Sequence, residues 1–267
     1  MSAFFASDDG LVPRTYWRRY DKLLRVADTA QEAVERLLGI RGRALRRARA
    51  MPPQRVLVAA VEVPGREADL ARVIGRLGAT HHALTVATQR MLPRGKMANI
   101  NAAIAPFDLE RFDWLLVIDD DIEVRAGFLD VLLAEAAYRG FRLAMPAHRQ
   151  HSFATYRVTR RHWASASRRT GYVEIGPVTL LHRGVFGDLI PFPELRWAWG
   201  IDVAWANLAV RRGWPIGVVD VAPIRHLRPV AGGYRVDEAT AEAEAFLEAA
   251  GADLPRAAIL RSIARYR

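Results

Sequence analysis

The chain has 267 residues, long enough to bury a substantial core, with 51% hydrophobic and 25% charged residues, ordinary values for a globular protein. It has no cysteine, which excludes a disulfide framework, a thiolate metal site and a cysteine nucleophile. Lysine and arginine number 39 against 29 acids, nearly all of the bases arginine, and the net charge of +10 favours anionic partners without choosing among nucleotide phosphates, nucleic acid and anionic lipid.

The start, MSAFFASDDG, lacks a basic stretch followed by a long apolar run, so no secretory leader is expected. No apolar run approaches the roughly 20 residues needed to span a bilayer. The expected location is cytoplasmic, with peripheral contact at the inner membrane face open to the basic N-terminal segment. Residues 1–27 are aromatic and basic (Tyr16 to Tyr20) without a clear period. Thr29-Ala-Gln-Glu32 fits a capping box and predicts a helix to about Arg49, whose second half is strongly basic. Met51-Pro-Pro-Gln54 marks a boundary, so residues 1–50 read as a helical extension, 51–235 as the main domain and 236–267 as terminal helices.

Arg55 to Val63 reads as the first core strand, Glu67 to Leu77 as a helix and His82 to Thr88 as a second strand, the βαβ unit of a parallel sheet. Arg94 to Ile104 is a loop opening a helix. Trp114 to Ile118 is uniformly apolar and reads as a strand buried on both faces. It stops at Asp119, Asp120 and Asp121. Phe128 to Tyr138 is a further helix and Phe141 to Met145 a further strand. The polar, basic stretch 147–169 predicts a long loop or irregular insertion. Tyr172 to Leu181 is a strand region broken at Gly176-Pro177, Trp197 to Asp202 opens a helix, and Ile216 to Val221 is the last strand, ending near His226. Helices are expected over 239–250 and 255–266.

In open α/β sheets ligands bind beyond the carboxyl ends of the strands, where the acidic triplet falls. Carboxylates there suit Mg²⁺ or Mn²⁺ bridging to phosphate; the alternative is a solvated acidic turn capping the next helix. Asp119 and Asp121 have the D-x-D spacing, so both can reach one ligand. Lys96 and Asn99 stand at a helix mouth that could hold an anion or be a structural turn. Asp202 gains helix-dipole stabilisation whatever it does, and could also deprotonate a hydroxyl. Trp197 and Trp199 offer ring faces for a sugar, or are core packing. His226 completes a metal site if the fold brings it beside Asp121. Glu174, in an otherwise apolar strand, is either buried or faces the site.

These pieces, in this order, resemble the nucleotide-sugar glycosyltransferases of the GT-A fold. Arg94-Gly-Lys-Met-Ala-Asn-Ile-Asn-Ala-Ala resembles the helix start of family 2-type enzymes, and Val117-Ile-Asp-Asp-Asp-Ile their D-x-D strand end. Gly171 to Val178, Trp199-Gly-Ile-Asp202, Gly217-Val-Val-Asp220 and His226 are similar to a series in the plant-type DUF707 family, itself regarded as GT-A-like. The resemblance covers about residues 55–234. It implies an α/β fold with a mostly parallel central sheet, helical extensions at both ends and a divalent cofactor, Mn²⁺ or Mg²⁺. It further implies Asp119 and Asp120 with Lys96 and Asn99 at the donor nucleotide, and Asp121 and His226 on the metal. Asp202 would be the base of an inverting transfer, and Trp197, Trp199 and Glu174 would meet a carbohydrate or other hydroxyl acceptor. The run Trp-Ala-Trp-Gly-Ile-Asp departs from the Glu-Asp pair of many family 2 members. Two rivals share features: a sugar-phosphate nucleotidyltransferase, poorly matched by Val61 to Arg66, and a basic nucleic-acid-binding protein, for which no motif is visible.

Overall fold

A computed structural model describes residues 4–5, 9–13, 16–229 and 235–267. Gly232 and Gly233, which follow His226 in the sequence, lie outside them. The elements in order are α1 (Tyr16–Leu37), α2 (Ile40–Ala50), β1 (Arg55–Glu62), α3 (Glu67–Leu77), β2 (Ala83–Arg90), α4 (Lys96–Ile104), β3 (Trp114–Ile118), β4 (Ile122–Glu123), α5 (Phe128–Tyr138) and β5 (Leu143–His148). There follow β6 (Ser167–Thr170), β7 (Val178–His182), α6 (Phe186–Leu189), α7 (Ile201–Arg212), β8 (Ile216–His226), α8 (Val236–Ala249), α9 (Arg256–Ile259) and β9 (Ser262–Tyr266).

The strands form one sheet in the order β2-β1-β3-β7-β5-β8-β6-β9, with β4 pairing off this path to β8. β1 runs parallel to β2 and β3, and β5 parallel to β8. β7 is antiparallel to both β3 and β5, and β6 antiparallel to both β8 and β9. The strands other than β6 and β7 on this path therefore share one direction, the mostly parallel sheet expected. One apolar layer, with Val58, Leu116, Leu132 and Leu180, lies under α2, α3 and α5; the other, with Leu57, Met97, Leu115 and Trp205, lies under α4 and α7. β3 is buried along its whole length, which is why it is apolar at every position.

Three expectations need correction. The predicted start at Thr29 is wrong: α1 begins at Tyr16, and the Thr29 hydroxyl donates to the Arg25 carbonyl inside the helix. The break comes instead at Gly39, in the left-handed region that glycine favours. Residues 255–266 are not one helix; after the short α9 the chain becomes β9 and adds a strand to β6. The 147–169 stretch is not a free loop. It contributes β6, and its bases turn inward: Arg161 pairs with Glu35, and Arg168 grips both Asp220 oxygens at 2.9 and 3.1 Å. Arg161 and Arg168 therefore answer buried acids rather than solvent. No described helix is long and apolar enough to cross a membrane.

Candidate active site

Topology gathers the site. Strands β3, β5 and β8 all end at one edge of the sheet, and β7, running the other way, begins there, with Val178 opposite Ile118. Residues 119–121, 148, 174–177 and 226 consequently meet. The Asp119 amide donates to the Pro177 carbonyl at 2.9 Å. Ile122 pairs with His226, and the Leu227 amide donates to the Asp121 carbonyl at 2.9 Å, so the triplet is clamped beside the end of β8.

Each acid of the triplet meets a different environment. Asp119 accepts an ion pair from Lys96 Nζ at 2.5 Å. Gly176 makes room for that pair, since a Cβ there would stand 3.0 Å from Nζ and 3.4 Å from the carboxylate. Asp120 is buried, with Arg66 at 3.7 Å and its Oδ2 without a partner among the described residues. Burial first, then the Asp121 and Asp119 charges, push its pKa up, while Arg66 and Arg228 oppose. Asp121 faces His226, Oδ1 to Nε2, at 3.2 Å. Burial penalises its charge, but the hydrogen bond and charge of His226, with Lys96 and Arg228, outweigh this and hold its pKa below the ordinary value.

A carboxylate oxygen and an imidazole nitrogen 3.2 Å apart fit a divalent ion, because neighbouring ligands of an octahedral ion bound at about 2.1 Å are about 3 Å apart. Two buried polar atoms beside them, Asp120 Oδ2 and Arg228 Nη1, lack partners among the described residues, as a site built for an ionic ligand would leave them. A second grouping, His81, His82 and Asp130, lies by the amino ends of β1 and β2. There His82 Nδ1 accepts the Gln54 amide at 3.1 Å, which puts the proton of the neutral ring on Nε2, 3.7 Å from Asp130. That tautomer points a proton, not a lone pair, into the group.

Asp202 sits in the first turn of α7. Its Oδ2 accepts the Tyr172 hydroxyl and its Oδ1 the Val203 amide at 2.9 Å. Burial, reinforced by the Glu174 charge, raises its pKa to about 7. Glu174 is buried and receives His148 Nε2 at 3.2 Å, and His148 Nδ1 lies 3.3 Å from the Ser152 hydroxyl. That hydroxyl accepts the His226 amide at 2.8 Å. Hydrogen bonds thus run from Glu174 through His148 and Ser152 to the backbone amide of His226, and the Glu174 charge acts on the Asp202–Tyr172 pair. Tyr172, His148, Arg66 and Arg228 were not picked out from sequence; their partners are distant in the chain, and no spacing marks them.

Three expected binding residues are engaged within the protein itself. Asn99 is buried and stitches the preceding loop, its amide bonding Leu92 N–H and C=O at 3.0 and 2.9 Å and Gly95 C=O at 2.7 Å. It shapes the mouth of α4 and leaves Lys96 to face the acids. Trp197 and Trp199 are half-buried near Asp202. The Trp197 amide is held by Glu242 at 2.9 Å with the Arg196 guanidinium over its ring, and Trp199 stacks on Phe5 at 6.3 Å.

No protein-family model matches the chain, and no curated protein sequence does. Solved structures share its fold. TarS of S. aureus, residues 1–349 in complex with UDP-GlcNAc, matches over 76% of this chain and 68% of its own, with a TM-score of 0.52 at 13% identity. GalNAc-T7, solved with UDP, GalNAc and Mn²⁺, matches over 67% of this chain and 45% of its own, with a TM-score of 0.50 at 13% identity. At such identities the likeness establishes the architecture, that of GT-A glycosyltransferases, and leaves the chemistry to be argued from the site.

Proposed function

We propose that this chain is a glycosyltransferase that moves a sugar from a nucleoside-diphosphate donor to a hydroxyl acceptor, with inversion at the anomeric carbon. The observation that supports it most is the meeting of Asp119–Lys96 and Asp121–His226 at one edge of the sheet, with Asp202 held by Tyr172 within the field of Glu174 from that edge. TarS and GalNAc-T7, solved with UDP-GlcNAc and with UDP, GalNAc and Mn²⁺, lend the fold-level analogy. The narrower kinship with the DUF707-type family rests on the ordered residue series alone.

In this reading Asp121 and His226 hold a divalent ion, Mn²⁺ or Mg²⁺, which neutralises the departing diphosphate when bound. Asp119 positions the nucleotide, and Lys96, drawn in by Asp119, adds positive charge near the diphosphate. Arg228, with a free buried η nitrogen, is a further donor toward phosphate. Asp202 takes the proton of the acceptor hydroxyl as its oxygen bonds to C1 and the C1–O bond to the diphosphate breaks. A pKa near 7 suits that task, since about half of the group is ionised at neutral pH and it is basic enough to accept a proton. Tyr172 holds the carboxylate in place.

Calorimetric titration with uridine and guanosine diphosphates, with and without Mn²⁺, tests the donor half, and release of nucleotide from donor sugars tests transfer. Asp121→Asn should abolish metal-dependent nucleotide binding. Asp202→Asn should bind nucleotide like the parent and lose about 10²–10⁴-fold in transfer. Equal loss of nucleotide affinity in both variants, or a product that keeps the donor's anomeric configuration, overturns the assignment.

A further inference from the structure

Helix α1 is amphipathic in the inverse sense. Beyond the buried Leu24 its inward face is polar. Asp28 caps the amides of Gln150 and His151 at 2.7 and 2.8 Å, Gln31 donates to the His162 carbonyl at 2.7 Å, and Glu35 pairs with the buried Arg161. Its outward face carries exposed apolar side chains. Leu23, Val26 and Leu37 are 66, 65 and 86% exposed, and Ala30 and Ala33 lie between them. Spacings of three, four, three and four residues place all five on one stripe. Leu38, also exposed, extends it.

Charge is sorted the same way. The exposed bases Lys22, Arg25 and Arg36 flank the stripe. The acids of the helix are turned away from it or already engaged: Asp28 and Glu35 point inward, Glu32 meets Arg125 at 2.5 Å, and Asp21 is shared by Arg25 and His151. The stripe has the three-four spacing of a coiled-coil seam, but a second copy would fit poorly. The seam is flanked by Lys22, Thr29 and Arg36 on one side and by Ala27 and Val34 on the other, so no acid stands ready for the bases of a partner helix. An apolar stripe with bases along one border and no acid along either is complementary to an anionic lipid surface, where leucines enter the headgroup boundary and the bases meet phosphates.

We propose that α1 docks this chain onto an anionic membrane surface, lying in the interface with Leu23, Val26 and Leu37 inserted. This does not depend on the glycosyl-transfer reading. The test is sedimentation of the full chain with vesicles of phosphatidylcholine, with and without phosphatidylglycerol. Binding to the anionic vesicles alone, weakening as salt is raised, is expected. Leu23→Glu with Val26→Glu should remove it, and Lys22→Glu with Arg36→Glu should weaken it about tenfold or more. These side chains face solvent, so circular dichroism melts of both variants should match the parent, and the second pair tests the surface even if the first disturbs the helix. Equal sedimentation with neutral vesicles, or parent-like binding by the charge-reversed variant, overturns the proposal. So does a dimer, seen by analytical ultracentrifugation, that Leu23→Glu with Val26→Glu dissolves, since the stripe would then belong to a second copy.

Discussion

At the scale of single residues, Asp202, the base in the proposed function, would set the pH at which transfer works. Its folded pKa of about 7 lies far above the ordinary 3.8, first because the carboxylate is buried and next because Glu174 adds a like charge. A base must be ionised to accept a proton, so transfer should rise with pH through about 7 and level off above it. The linked stability effect has the opposite sense. The folded state holds a proton that the unfolded chain has lost, so this contribution is full below about 3.8 and is lost as pH rises through about 7. Glu174→Gln removes the like charge and keeps an oxygen for His148, and should shift the activity limb to lower pH. A pH–rate profile of the two proteins checks it; an unmoved limb would mean that burial alone sets the value. Asp119, Asp121, Asp202 and His226 were legible as candidates because each follows a strand or opens a helix, positions where a charged group is conspicuous. His148 and Tyr172 were not, because each matters only through a partner 26 or 30 residues away.

Among the elements, α1 shows why a helix can evade its own period. Pattern reading looks for an apolar stripe facing the core, and here the core-facing stripe is Leu24, Asp28, Gln31 and Glu35, polar at every position after the first. The apparent capping box dissolved because Glu32 reaches across to Arg125 instead of back to Thr29. By contrast α3, α5, β1 and β3 fell close to where their periods put them, since their buried faces are ordinarily apolar. The docking of α1 then hangs on a few polar contacts. Breaking a buried ion pair by removing one partner typically costs about 3–5 kcal/mol, so Glu35→Ala should destabilise by that order in a denaturant titration. A loss below about 1 kcal/mol would show that Arg161 finds another acceptor. The strand at the C-terminus was missed for a related reason: β9 lies on the sheet edge, its residues mostly exposed and without the alternation of a half-buried strand.

For the molecule as a whole, the sheet's order mattered more than its content. Local pattern identified most strands but could not say that β7 enters against its neighbours, and that reversal brings Glu174 and Gly176 to the edge where β3 and β8 finish. The two halves of the site also touch directly. Gly95, at φ +85°, lies so close to the loop before α7 that a Cβ would stand 2.5 Å from the Leu195 carbonyl and 3.0 Å from that of Arg196. Gly95→Ala must therefore shift the turn carrying Lys96 or the loop carrying Trp197, and should depress nucleotide binding and acceptor use together. Separate titrations of each would reveal a defect confined to one side.

That contact also constrains how such an enzyme could be re-engineered. A foreign acceptor loop grafted over 191–200 would arrive with its own carbonyl contour and would have to rest against a residue that offers only hydrogen. The two strips can be exchanged only as a matched pair, so if 191–200 meets the acceptor as proposed, new acceptor specificity in this scaffold would have to come from side chains laid on an inherited backbone.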